Sequence, residues 1–301
     1  MTEAQHAANG AAAPRLFCFG LGFSALALAR RVMADGWAVA GTTRSDDKMA
    51  ALAAEGIEVF PFDRERPREI PAAALAGATH LLSSIAPDEQ GDPVIDCYGA
   101  ALAGAEALQW VGYLSTTGVY GTRDGGWVDE DSDLHPSAAR SRRRVQAEEA
   151  WLSAWRENRL LVHIFRLAGI YGPGRSMLDT VRAGKAKRID RPGQVFSRIH
   201  VDDIASVLQA SIARPNPGRV YNVCDDGPAS PAEVTAYACS LLGVEPPPLV
   251  PLEEAGLSPM GLSFWSDNKR VSNRRLHEEL GVDLRYPTYK AGLDALLADG
   301  H

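Results

Sequence analysis

Apolar positions along this chain follow two alternating rhythms. Short unbroken apolar runs are followed by stretches in which apolar residues recur every three or four positions. The first run, Leu16-Phe17-Cys18-Phe19, ends at Gly20, and from Gly22 onward the spacing turns helical. A buried strand that enters a tight turn and then a helix reads this way. The helix Ser24–Asp35 closes at Gly36, a natural C-cap. The rhythm continues through strand Trp37–Thr43, helix Asp46–Glu55, strand Ile57–Phe62, a helix near Ile70–Ala76, strand Thr79–Ile85, helix Pro93–Leu108 and strand Gln109–Ser115. A helix over Ser137–Asn158 and a sixth strand, Leu160–Leu167, follow. Parallel neighbours need crossover connections, so strand–helix units in series predict an α/β fold with a doubly wound parallel sheet.

The turn at Gly20-Leu21-Gly22-Phe23-Ser24-Ala25 has the form G-x-G-x-x-A. Gly20 permits the turn, Gly22 leaves the backbone open to a pyrophosphate, and Ala25 lets helix and strand pack closely. The helix start at Phe23 and Ser24 offers free N–H groups to phosphate. This predicts a dinucleotide site. At the end of the second strand, where an acidic residue would hold the ribose 2′-hydroxyl of NAD, the chain reads Thr42-Thr43-Arg44-Ser45. Thr43 and Arg44 suit a 2′-phosphate, so NADP is expected, with NAD possible if Asp46 or Asp47 takes the ribose instead. Asp63 and Ser84 fall just past the third strand and at the end of the fourth, the sheet edge where such folds gather ligands. Each reads equally well as a turn or cap residue.

Beyond Tyr171-Gly172-Pro173-Gly174 the composition shifts to short helices and Pro-rich loops. The expected division is a disordered tail over 1–14, a dinucleotide-binding domain over 15–170 and a smaller substrate domain over 171–301. Segments near 195–225 are expected to return to the sheet. The net charge of −7, with basic residues scattered apart from Arg140–Arg144, argues against a nucleic-acid groove or a membrane surface. No stretch approaches a membrane span, and Met1–Pro14 lacks the features of a signal peptide, so a cytoplasmic protein is expected. Cys18, Cys97, Cys224 and Cys239 lie far apart without C-x-x-C. They read as buried small apolar residues, and no metal site is expected. Trp151 and Trp155, one helical turn apart, read as core packing.

Several separated motifs together resemble the extended short-chain dehydrogenase/reductase family, the NAD-dependent epimerase/dehydratase group. They are the glycine motif, Ser115–Gly121 (a form of S-S-x-x-V-Y-G), Arg166–Gly174 (RLAGIYGPG), Arg198–Ile204 (RIHVDDI), Tyr221-Asn222-Val223 and Asn268–Gly292. The resemblance implies a Ser/Thr that hydrogen-bonds the substrate oxygen. It also implies a Tyr-x-x-x-Lys pair in which the phenol exchanges a proton and the lysine holds the nicotinamide ribose. Thr116 falls at the Ser/Thr position, while Arg140 and Arg144 stand where the Tyr and Lys would be. The chain is therefore similar to atypical members that lack the usual tyrosine. Arg144 can still hold a ribose hydroxyl or a phosphate. Arg140 stays protonated and cannot act as a phenol does. The two share one helix face and would favour an anion; alternatively they belong to a solvated face paired with Glu148 and Glu149. Tyr120, Tyr171 and His200 are left as other acid/base candidates, with Tyr171, Arg198 and His200 on the implied substrate side. The implied activity is an NADP-dependent oxidoreductase or epimerase acting on a nucleotide-sugar-like or other anionic small molecule. A non-catalytic NADP(H)-binding sensor or scaffold is the alternative. The chain would be a monomer, or a homodimer joined through Pro93–Leu108 and Ser137–Asn158.

Overall fold

The computed structural model describes residues 13–65, 70 and 72–301, so most of the expected N-terminal tail lies outside the described residues. Seven strands form the central sheet: β1 (Arg15–Phe19), β2 (Ala38–Thr43), β3 (Glu58–Pro61), β4 (His80–Ser83), β5 (Trp110–Thr116), β6 (Val162–Leu167) and β7 (Val220–Val223). Their order is β7-β6-β5-β4-β1-β2-β3, and every pairing is parallel. The chain moves outward from β1 to β3 and then returns to β4 on the other side of β1. Such a reversal opens a crevice at the carboxyl ends of β1 and β4.

Both faces of the sheet are covered, which explains the unbroken apolar runs. Leu16 and Cys18 of β1 point to a core shared with α1 (Phe23–Ala34) and α7 (Val201–Ala213). Phe17 and Phe19 point to the opposite core, built with α3 (Ala72–Ala76), α4 (Pro93–Ala103) and α5 (Ala139–Asn158). On the α1 side of the sheet, α2 (Asp46–Ala54) buries Leu52 in the core with α1, with Ser45 accepting from the Lys48 N–H as its cap. Trp151 is fully buried, stacks on Tyr113 at 5.7 Å and donates to Asp92 Oδ2. Trp155 packs around Gly218, where an added Cβ would lie 2.4 Å from its ring. The helix expected to reach Leu108 stops at Ala103, because Gly104 is its C-cap and the Ala105 N–H turns back to Leu102. Cys18, Cys224 and Cys239 are buried as expected, whereas Cys97 is exposed on the outer face of α4.

Past β6 the chain forms a short strand, Gly169–Tyr171, which pairs in parallel with Arg198–His200. A separate apolar cluster then gathers α6 (Met177–Arg182), α8 (Pro231–Leu241) and α10 (Tyr289–Ala298) around Tyr171, Leu178, Val234 and Leu293. The short α9 (Pro259–Trp265) presents Trp265 to a third small cluster. No helix among the described residues is long and apolar enough to cross a membrane.

Candidate functional site

The glycine turn is held open by its own backbone. Gly20 sits at φ +85°, a conformation that side chains rarely adopt, and an added Cβ would meet Ile85 and Ser84 at about 3 Å. Its N–H donates to Thr42 Oγ1, and Ser84 Oγ donates to its carbonyl. Gly22 is the N-cap of α1, and no side chain among the described residues caps that helix. A Cβ on Gly22 would meet nothing nearer than Ser84 Oγ at 4.0 Å. Free N–H groups at Phe23, Ser24 and Ala25, a helix dipole and an open backbone are what a pyrophosphate requires. The residues present therefore fit a dinucleotide.

At the end of β2, Arg44 is exposed and Thr43 Oγ1 accepts from the Ser45 N–H. Asp46 and Asp47 open α2 and are exposed. Lys48, which sequence reasoning passed over, donates 2.6 Å to the Leu21 carbonyl inside the glycine turn. Its only local signal was its place three residues after a serine cap. Asp63 accepts from the Glu65 N–H and serves the turn after β3.

A cleft of about 990 Å³ opens where β4, β5, α5 and the paired short strands meet, linked to the start of α1 through Arg175 and Phe23. Thr116 at the end of β5, Arg140 and Arg144 on α5, and Tyr171 and Arg198 on the paired short strands all line it. Thr116 Oγ1 accepts from the Gly118 N–H, which fixes its rotamer at the strand end. Arg144 donates to Tyr113 Oη at 3.1 Å and to the Leu114 carbonyl at 2.6 Å, so one edge of its guanidinium is held by β5. Arg140 lies 3.9 Å over the ring of Phe264 and, among the described residues, has no acidic partner. The solvated-face alternative fits Arg143, which pairs with Glu89, better than it fits these two. Arg198 is held by the Phe196 and Ala229 carbonyls, and burial lowers its pKa. Arg175, another residue that sequence reasoning missed, lines the same cleft and sits 5.7 Å over the Phe23 ring at the start of α1. Its signal was a cation directly after a Gly-Pro-Gly turn.

Two acid/base candidates fall elsewhere. Tyr120 is fully buried; its hydroxyl donates to Asn222 and accepts from Arg166, and burial pushes its pKa up to about 12. It belongs to a buried network in which Arg166 donates to both oxygens of Glu148 and Ser115 Oγ donates to Oε1. His200 is 2 % exposed, and its Nδ1 accepts from the Asp202 N–H as the cap of α7. Burial lowers its pKa to about 4, so the ring is neutral and structural. Both look like cleft residues in sequence because their neighbours Thr116 and Arg198 are.

The sequence profile of the NAD dependent epimerase/dehydratase family matches residues 20–224. The chain belongs to this family. It is 29% identical over 280 residues to Protein YeeZ of Escherichia coli (strain K12), covering 89% of this chain and 94% of that protein. A solved structure of a conserved protein of unknown function from Silicibacter pomeroyi DSS is 52% identical, with a TM-score of 0.88 over 95% of this chain and 99% of that one. The dTDP-glucose 4,6-dehydratase of Bacillus anthracis str. Ames, solved in complex with NAD, shares the fold at 16% identity and a TM-score of 0.73, over 95% and 96% of the two chains. The α/β fold expected from the strand–helix rhythm is the fold of this family.

Proposed function

We propose that this family member is an NADP-dependent oxidoreductase or epimerase acting on a hydroxyl or carbonyl group of a nucleotide-sugar-like or other anionic small molecule. The observation that carries the reading is the shared cleft. Thr116, Arg140, Arg144, Arg175 and Arg198 line one cleft, and Arg175 reaches from it to the Phe23 ring at the uncapped start of α1. Gly20, Gly22 and the N–H groups of α1 would hold the pyrophosphate, Arg44 and Lys48 the 2′-phosphate, and Arg144 the ribose. When bound, the nicotinamide supplies hydride exchange. Thr116 hydrogen-bonds the substrate oxygen, and Arg140, with no acidic partner, draws the substrate's anionic group.

The test is to incubate the protein with NADP⁺ or NADPH and a panel of nucleotide sugars and small carbonyl compounds. Reduced-nicotinamide absorbance is followed together with product analysis, since an epimerase returns its hydride. Turnover that falls on the order of 10²-fold in Thr116→Ala, with cofactor affinity unchanged, supports the reading. The burial of Tyr120 and the arginine at position 140 favour a second reading, an NADP(H)-binding sensor without turnover. Tight cofactor binding with no product from any panel member selects it.

A further inference from the structure

The cleft holds a second kind of basic group. Lys269 lines it together with Thr116, Arg140 and Arg144, yet only 9 % of the residue is exposed. Val271 and the edge-to-face pair Phe196 and Trp265 add apolar wall to the same cleft. A lysine taken out of water needs a close counter-charge. This one has a distant partner. Among the described residues its Nζ meets one carboxylate, Asp267 Oδ2, at 3.5 Å. The other oxygen of Asp267 accepts from Ser137 Oγ at 2.7 Å. Ser137 lies three residues before Arg140, so the amine stands near the start of α5, where the family resemblance would put the proton-exchanging tyrosine.

We propose that Lys269 is the proton-exchanging group of this cleft, doing from the Asn268–Val271 segment what Arg140 cannot do from α5. The proposal rests on the function proposed above. The neutral amine takes the hydroxyl proton of a secondary alcohol and becomes an ammonium. The hydride lost from the same carbon goes to the oxidised nicotinamide nucleotide already named, and a carbonyl is left. In the reverse direction the ammonium returns the proton to the oxygen. Charges around the amine suit this exchange. Burial lowers the lysine's pKa, Arg123 from the loop after β5 lowers it further, and Asp267 opposes both, with the balance below the ordinary value. Arg140, Arg144 and Arg198 add positive charge to the same cleft. An amine whose pKa is lowered by its surroundings is freed more readily for general base and acid roles.

Two measurements test this. Competitive labelling with trace acetic anhydride across a pH series, read by peptide mass spectrometry, gives the titration midpoint of each lysine without substrate or cofactor. Lys269 is expected to titrate below the exposed Lys185 and Lys187. A midpoint equal to theirs overturns the proposal. In the second, Lys269→Arg keeps the charge and the Asp267 partner but cannot release a proton. It is expected to lose roughly 10²-fold or more in turnover and the acidic limb of the pH–rate profile, with cofactor affinity unchanged. Turnover within about twofold of the parent protein, with the limb intact, overturns the proposal. A parent protein with a low Lys269 midpoint but no turnover on any panel member counts against the proposed function alone, so the two failures are separable.

Discussion

Replacing Glu148 by glutamine keeps the shape of the side chain and removes its charge. Glu148 and Arg166 are 2 % and 5 % exposed, and their pair closes at 2.8 Å, with the Arg166 Nε also shared between both carboxylate oxygens. Water cannot screen the guanidinium once its counter-charge is gone. Its remaining side-chain partner is the neutral Tyr120 phenol. Removing one member of such a pair costs about 3–5 kcal/mol. Ser115 Oγ also exchanges an ionised acceptor for a neutral one, which costs about 1 kcal/mol more. The expected loss is therefore about 5 kcal/mol, read as a fall in the urea midpoint and a drop on the order of 10 °C in Tm. Because the pair ties α5 to β6 beside Thr116 and Arg144, cofactor affinity should weaken as well. The double substitution Glu148→Leu with Arg166→Met should recover most of the stability, since no charge is then stranded. A loss below about 1 kcal/mol for Glu148→Gln, the value of an exposed pair, would refute this reasoning.

Three further outcomes follow from the same geometry. Asp225 is 1 % exposed, and burial raises its carboxyl to about 7, so the folded state holds a proton that the unfolded state releases near 4. Its contribution to stability is present below about pH 4 and is lost as pH rises through about 7; melts of Asp225→Asn should exceed those of the parent by more at pH 8 than at pH 5, and an equal gap at both would contradict it. His163 is fully buried, donates from Nδ1 to the Val111 carbonyl and accepts at Nε2 from the Asn216 N–H, with its pKa lowered to about 4. That contribution is present above about 6.5 and is lost as pH falls through 4, so His163→Gln should flatten the acid limb of the parent's stability curve. Removing Arg44 and Lys48 together should weaken NADP⁺ binding roughly tenfold or more and leave NAD⁺ binding within about twofold, measured by fluorescence titration. Equal losses for both nucleotides would mean the pair holds something other than the 2′-phosphate.

Much of this architecture was written in local patterns. The run Leu16–Phe19 is fully buried because both sheet faces are covered, and that is visible as four apolar residues in succession. Gly20 announces its positive φ by being glycine before a helix. Thr116, Arg140 and Arg144 could be placed by counting along a strand and a helix turn, and all three line the cleft. What escaped depends on distant partners. Tyr120 follows Thr116 by one short turn, yet its hydroxyl is taken by Asn222, 102 residues later, and by Arg166. The role of His200 is local, as a helix cap, but histidine is an uncommon cap and a ring beside a cleft strand reads as chemistry. Lys269 looks like any lysine in a charged stretch. Only the folding of its segment against the start of α5, where Ser137 donates to Asp267, makes it a buried amine. Cys97 failed the opposite way, since an apolar helix such as α4 gave no sign of which face it leaves outside.

The uncapped helix start beyond Gly20 and Gly22, with Arg44 and Lys48 nearby, is proposed to grip a nicotinamide dinucleotide. Isothermal titration calorimetry of the folded protein with NADP⁺, NADPH, NAD⁺ and NADH tests it most directly. Saturable binding of one nucleotide per chain is expected, with the phosphorylated pair tighter. Failure of all four to bind at about millimolar concentration, or a clear preference for the unphosphorylated pair, would contradict it.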